Sequence, residues 1–309
     1  MQKEIDVIED DILKKSPLIL EILLYDQTTN QNILWATDDY NYFGNNYNFS
    51  SQIKIESITG INSQVIMPRV LKSKSLQKTR SKEMAEVYTP SWVCNEQINS
   101  IDNSWFNNEN IFNRQIILND GKVTWEVNKN KIKFPKNKTW KDYVMDIRLE
   151  IACGEAPYLT SRYDTTTGKY ISVNDRIGFL DRKIRVVSEN IKTKNSWLKY
   201  VELAYKSIYG YEYHGDSLLL AREALLYTFF DNYLEKFNTE PNLEEVEKIA
   251  NIISWNIWQM DGLTGGIPNN ENLDIKYCLI MDWTKNNSLN NAKGQQIKFI
   301  DLIQQEGGK

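Results

Sequence analysis

The chain of 309 residues holds one histidine, His214, and three cysteines, Cys94, Cys153 and Cys278. A single histidine excludes zinc sites built on two or three imidazoles and leaves any Ser-His-Asp triad resting on that one residue. The cysteines are odd in number and far apart, so neither a disulfide framework nor a zinc knuckle follows from them. No apolar run approaches the roughly 20 residues needed to span a bilayer. The start, Met1-Gln2-Lys3-Glu4-Ile5-Asp6, lacks the apolar stretch of a signal peptide, which points to a cytoplasmic protein. No internal repeat and no Pro-Asp…Glu-x-Lys nuclease cluster is apparent. Neither sign of charge dominates: 37 Lys and Arg against 41 Asp and Glu leave a net charge of −4. That balance argues against bulk adhesion to nucleic acid and leaves open a basic patch on one face.

Hydrophobic content of 41% and charged content of 25% are ordinary for a soluble globular chain. The length suffices for one large domain, or a main domain with a smaller appendage. Aromatic residues, with 9 Trp and 17 Tyr, are plentiful. Core packing accounts for most such rings, and base stacking has to be argued site by site.

Along the chain, Ile5, Ile8, Ile12 and Leu13 form an amphipathic pattern ahead of the apolar run near Leu18 to Leu24. Polar sequence from Asp26 to Ser51 and the alternation Gln52-Ile53-Lys54-Ile55 predict strands and loops of an N-terminal accessory region over 1–80. Residues Arg69, Lys72, Lys74, Lys78, Arg80 and Lys82 make a basic stretch, read as solvated surface or as a phosphate contact. Asn119-Asp120-Gly121 between two alternating runs predicts a hairpin inserted near 112–135. Thr139 caps a short helix leading to an apolar strand that ends at Cys153. Helical spacing of Ile177, Leu180, Ile184 and Val187, a helix over Trp197 to Ala204 and a long helix from Asp216 then alternate with apolar runs. These runs are Ile208 to Tyr213, Asn256 to Leu263 and Tyr277 to Asp282; the alternation predicts a largely parallel α/β sheet from about residue 140. Asn45-Asn46, Asn269-Asn270 and Asn286-Asn287 read as turns.

The most informative stretch is Glu150-Ile151-Ala152-Cys153-Gly154-Glu155-Ala156. A strand runs into an acid and a small-residue corner, as the first strand of a nucleotide-binding sheet does. Such a site also needs a carboxylate at the next strand tip for ribose hydroxyls, a polar group one strand on for the adenine amine, and a covering loop. Glu212 fits the second role and Asp261 the third. Each acid alone is commonly an ordinary strand-end carboxylate; their order along the chain gives the set its weight.

At this point the chain resembles the N6-adenine DNA methyltransferases of restriction-modification systems, in particular sequences labelled restriction endonuclease subunit M. Ala85 to Cys94, with Tyr88-Thr89-Pro90, looks like that family's aromatic-Thr-Pro segment lying over bound S-adenosylmethionine. Glu150 to Leu159 looks like its cofactor motif, Tyr209-Gly210-Tyr211-Glu212 with Ala221-Arg222 like its ribose-binding strand and helix, and Met260-Asp261-Gly262-Leu263 like its adenine-contacting segment. The likeness covers roughly residues 80 to 285. It implies a class I S-adenosylmethionine-dependent methyltransferase domain, Rossmann-like, over 81–309, needing no metal. The implied cofactor-binding residues are Tyr88, Thr89, Pro90, Glu150, Ala152, Cys153, Gly154, Glu212 and Asp261.

Two departures accompany the likeness. Glu155 and Ala156 replace a Ser-Gly pair, which narrows the corner. The catalytic Asn/Asp-Pro-Pro-Tyr/Phe tetrapeptide, which polarises the target amine and stacks on the flipped base, is absent from this sequence. Asp282 and Trp283, ending the expected fourth strand, are the substitute candidates; the other reading makes them structural. His214 is expected at a helix entry or cofactor rim, and Cys153 fits its corner by size. DNA is the implied partner, with Lys72, Lys74, Lys78, Arg80, Lys82, Arg182, Lys183 and Arg185 as phosphate contacts. The alternative is a non-catalytic cofactor- or DNA-binding subunit, or a pseudo-methyltransferase that kept the fold and lost the activity, relying on a restriction or second modification subunit for chemistry.

Overall fold

A computed structural model describes residues 5–83, 86–268, 275–284 and 294–306. Ala85 of the aromatic-Thr-Pro segment and the Asn269-Asn270 and Asn286-Asn287 turns lie outside these residues, as do Met1 to Glu4. Helices α1 (Glu9–Lys15) and α2 (Pro17–Leu24) lead into the two-residue strands β1 (Tyr25–Asp26) and β2 (Gln31–Asn32). After a stretch of short 3-10 turns come α3 (Lys74–Glu83) and α4 (Ser91–Phe106), then the antiparallel hairpin of β3 (Asn113–Ile117) and β4 (Val123–Val127). Gly121 alone takes a left-handed φ, +81°, in the hairpin loop, so the turn is longer than a two-residue one.

Thr139 caps α5 (Trp140–Met145) as expected, and the cap extends to a capping box: Thr139 Oγ1 accepts from Asp142 N while the Asp142 carboxylate accepts from Thr139 N. Then follow β5 (Arg148–Glu150), α6 (Phe179–Asn190), α7 (Lys194–Lys206), β6 (Ile208–Glu212), α8 (Gly215–Phe237), α9 (Leu243–Asn256) and β7 (Ile257–Gln259). β5, β6 and β7 form a parallel sheet in that order, with Glu150 opposite Gly210 and Glu212 opposite Gln259. The chain is thus a mixed α/β structure with a three-stranded parallel sheet at its centre. β6 is almost wholly buried, as a middle strand covered on both faces must be. α8 is apolar around most of its circumference (Leu218, Leu219, Leu225, Leu226, Phe229) and lies within the core.

Two expectations are corrected. The run Gln52 to Ile55 makes one isolated bridge, Leu34 to Gln52, because the chain turns into a 3-10 helix at Ile55–Ser57. The run ending at Asp282 is a strand, β8 (Leu279–Asp282), yet it stands outside the parallel sheet. It pairs antiparallel with β9 (Gln295–Lys298), which runs into α10 (Phe299–Glu306). Cys278, Ile280 and Phe299 of this unit pack on Tyr209, Trp258 and Met260, so it covers one face of the sheet.

The N-terminal region shares the main core. Leu20, Leu23, Trp35 and Ile53 belong to the same buried cluster as Ile184, Leu219 and Ile253. Arg222 of α8, fully buried, donates to the carbonyls of Leu23 and Tyr25 and to those of Ile257 and Ser254. Gly215 opens α8 where a Cβ would fall 2.0 Å from the Leu34 carbonyl oxygen, so only glycine permits this approach. That contact wedges residues 33–36 against the carboxyl end of β6.

Candidate functional site

The carboxyl ends of β5, β6 and β7 meet at one place. Beyond β5 the backbone reverses through Ala152, Gly154 and Ala156, all with left-handed φ of 45°, 53° and 57°. Alternation of this kind turns successive N–H groups toward a concavity that favours an anion. One carboxylate occupies that position: Glu212 Oε2 accepts from Gly154 N at 2.8 Å, and Oε1 accepts from His214 N at 3.2 Å. The backbone continues the convergence, with Cys153 N donating to Tyr211 O at 2.9 Å and Met260 N to Glu212 O at 3.0 Å. Asp261 follows directly; its carboxylate accepts from Leu263 N at 2.8 Å within a tight turn. Gly262 lies against the Tyr211 ring, where a Cβ would come within 3.0 Å.

Glu150 closes β5 behind the corner. Its two carboxylate oxygens accept from Tyr158 N and Leu159 N at 3.3 and 3.1 Å. Burial pushes its pKa up to about 8, the two N–H donors pull the other way, and the Glu212 charge raises it further. At neutral pH this carboxyl keeps its proton until a cation arrives. Burial, with the nearby Glu150 and Glu212 charges, also lifts the Cys153 thiol well above its ordinary value, so it is a space-filling group and no nucleophile.

Tyr88 lies over the corner: its phenol carbon and oxygen stand 3.7 Å from where a Gly154 Cβ would be. Thr89 O accepts from Cys94 Sγ and Thr165 Oγ1, and Pro90 precedes the first turn of α4. Asp164 fixes that turn by accepting from Ser91 N at 2.7 Å. Although half-burial opposes it, hydrogen bonds from Thr166, Ser91 and Thr167 hold Asp164 down to about 2.

The Ser-Gly replacement takes an unexpected form. The Glu155 carboxylate accepts from Arg69 N at 2.7 Å and from Tyr163 OH at 2.6 Å, tying the corner to two other loops. Arg69 lies 5.1 Å from the Tyr88 ring centroid, and Arg80 beyond it ion-pairs with Glu86, Asp39 and Asp216. Asp216, at the start of α8, also accepts from Tyr40 OH and Lys72 Nζ. Burial opposes its ionisation, but the Lys72 and Arg80 charges keep it well below the usual carboxylate range. Sequence reading missed this clasp, which joins 69–88 to the strand tips; the alternation of cations with Glu83 and Glu86 was the available signal.

Comparison with family models, with curated proteins and with solved structures gives no match.

Several expected site residues stand elsewhere. Trp283 Nε1 donates to Asn256 Oδ1 at 2.8 Å, and Lys206 Nζ sits 4.9 Å from its ring. Asn256 immediately precedes β7 and Lys206 lies just before β6, so Trp283 belongs to the amino ends of the strands. Asp282 turns its carboxylate to Thr284 N and Oγ1, closing a local turn. About 13 Å of β6 separates this end from Glu212 at 3.3 Å per residue, so Trp283 and the adjacent Asp282 stand apart from the Glu212 tip.

Among the expected phosphate contacts, Lys72 and Arg80 are consumed by Asp216. Arg182 is buried on Asp102, Asn95 and Asn99. Lys183 donates to the carbonyls of Val144 and Asp146 and to Ser207 Oγ, and burial drops its pKa to about 7. Arg185 pairs with Glu189 and donates to the Asn128 carbonyl. These five side chains are structural because each is drawn inward by acceptors that water no longer satisfies. Lys74, Lys78 and Lys82 remain exposed. Among the described residues no group of three or more His, Cys, Asp or Glu side chains is placed to hold a metal, and no helix is long and apolar enough to cross a membrane.

Proposed function

We propose that the carboxyl ends of β5, β6 and β7 bind S-adenosylmethionine, and that the chain is a class I, Rossmann-like methyltransferase acting on adenine N6 of DNA in a restriction-modification or phage-defence setting. The observation that carries this reading is the contact of Gly154 N with the Glu212 carboxylate, under the Tyr88 ring and beside Asp261. The residues suit the cofactor. Glu212 has accepted two N–H groups, and a carboxylate offers about four acceptor positions, so capacity for ribose hydroxyls remains. Glu150 is a buried acid awaiting a cation, as a methionine ammonium would be. Asp261, half-exposed at the third tip, suits the adenine amine.

When bound, the cofactor supplies an electrophilic methyl group. Everything else falls to the chain. Tyr88, held by the Arg69 and Glu86 clasp, excludes water from the corner; the Ala152 to Gly154 backbone sets the approach distance; Glu150 and Glu212 fix the two ends of the ligand. Positioning and desolvation of this kind supply most of the rate in a direct displacement.

A second reading is favoured by a specific finding: Trp283, with its donor bond to Asn256, lies at the amino ends of the strands, away from Glu212, and the Asp282 carboxylate is taken up by Thr284. In that reading the chain binds cofactor and DNA while a partner subunit presents the target-amine acceptor. Radiolabelled S-adenosylmethionine with unmethylated DNA separates the two. Label in DNA from the isolated chain supports the enzyme; binding without transfer supports the subunit; no binding removes both.

A further inference from the structure

Helix α3 carries a face whose spacing belongs to a core and whose chemistry does not. Lys74, Gln77, Lys78, Ser81 and Lys82 fall at i, i+3, i+4, i+7 and i+8, the stripe that is ordinarily apolar on a packed helix. With Arg69 they line an open groove of about 510 Å³. The opposite side is pinned: Arg80 is fully buried on Asp216, Asp39 and Glu86. The floor of the groove is fixed too. Gln77 Nε2 donates to Lys72 O, and Ser81 Oγ accepts from Arg69 Nη2 while donating to Glu86 O. None of Lys74, Lys78 and Lys82 has an ion-pair partner among the described residues.

We infer that this face of α3 is a docking rail for the phosphodiester backbone of a nucleic acid, set beside the strand tips. A rise of about 1.5 Å per residue puts successive ammoniums roughly 6 Å apart and spreads three of them over about 12 Å. One strand of a duplex presents on the order of three phosphates over that length. A helix with three ammoniums that have no ion-pair partner among the described residues matches a linear polyanion by charge and by length. An anionic bilayer surface fits poorly, because α3 offers only Leu76 as an apolar residue, and that one is half-buried. The rail adjoins the strand tips through two contacts already described: Arg69, lining the groove, sits against the Tyr88 ring, which in turn lies over Gly154. The inference rests on the DNA-directed reading above for the identity of its partner and adds the surface that holds it.

Fluorescence anisotropy of the full chain with a labelled mixed-sequence duplex, in the absence of cofactor, tests it. Log affinity against log salt between about 50 and about 200 mM is measured for the wild type and for the K74Q/K78Q/K82Q variant. At about 0.9 counterions released per phosphate neutralised, the variant's slope is expected to be shallower by about 2.7, with affinity at the low-salt end down at least about tenfold. Lysine-to-glutamine changes on an exposed helix face leave the fold intact, which circular dichroism checks. An unchanged slope in the folded variant overturns the rail, as does a wild type that binds phosphatidylserine vesicles in preference to the duplex. A lost slope together with absent methyl transfer retains the rail and removes the enzymatic reading.

Discussion

Glu9 at the start of α1 and Glu223 in the middle of α8 are each 1% exposed, and neither Glu223 oxygen has a hydrogen-bond partner among the described residues. Burial raises both pKa values, and each is raised further by acidic neighbours, Asp6 and Asp10 around Glu9, and Glu9 and Asp6 around Glu223; Arg162 opposes the rise at Glu223. The sign follows directly. Above the ordinary value of 4.5 the unfolded chain has released these protons and the folded chain retains them, so stability is greatest below that value and falls as pH rises. Each retained proton contributes a slope of about 1.4 kcal/mol per pH unit. From pH 5 to pH 7 one such group therefore removes about 3 kcal/mol. Glu9→Gln keeps the shape and removes the titration of this site. Urea unfolding of wild type and E9Q at half-unit steps from pH 5 to pH 8 should give curves that diverge, E9Q gaining over the wild type by about 1.4 kcal/mol per unit. Parallel curves would refute the reasoning, since they would mean that the folded and unfolded chains bind the same number of protons at this site.

Breaking the buried pair by Asp102→Ala strands the Arg182 guanidinium and should cost about 3–5 kcal/mol in urea unfolding, whereas a loss under about 1 kcal/mol would make the pair incidental. Asp216→Asn should lower stability most at neutral pH and least in acid, because a depressed carboxylate contributes above its unfolded pKa and stops contributing as pH falls through its folded one; a pH-independent loss would contradict this. S-adenosylmethionine affinity should rise from pH 6.5 toward pH 8.5 as Glu150 ionises, and Glu150→Gln should flatten that rise; a profile identical in both proteins would remove Glu150 from the site. Trp283→Ala should leave cofactor affinity within about twofold by calorimetry, a shift under 0.5 kcal/mol, since the ring sits at the amino ends of the strands.

What the sequence disclosed follows from how local each signal is. The cap at Thr139, the hairpin around Gly121 and the strands ending at Glu150 and Glu212 depend on neighbours in the chain or on strands ending in the same direction, and the structure shows each of them. Asp282 ends a strand as expected, but which sheet the strand joins is decided by the packing of Cys278, Ile280 and Phe299 on Tyr209 and Trp258, contacts between separate segments of the chain that no periodicity carries. The basic residues misled for a similar reason. Lys72 and Arg80 share composition and spacing with Lys74, Lys78 and Lys82, and only the folded position of Asp216 separates the buried pair from the exposed three.

The central claim is that Gly154, Glu212 and Asp261 bound one adenosine-shaped hollow. Calorimetric titration of S-adenosylmethionine into the wild type and into folded Glu212→Ala tests it most directly. One saturable site in the wild type, weakened at least about tenfold in the variant, a loss of about 1.4 kcal/mol, is the predicted result. Equal affinity in the two proteins, or no binding to the wild type, would contradict it.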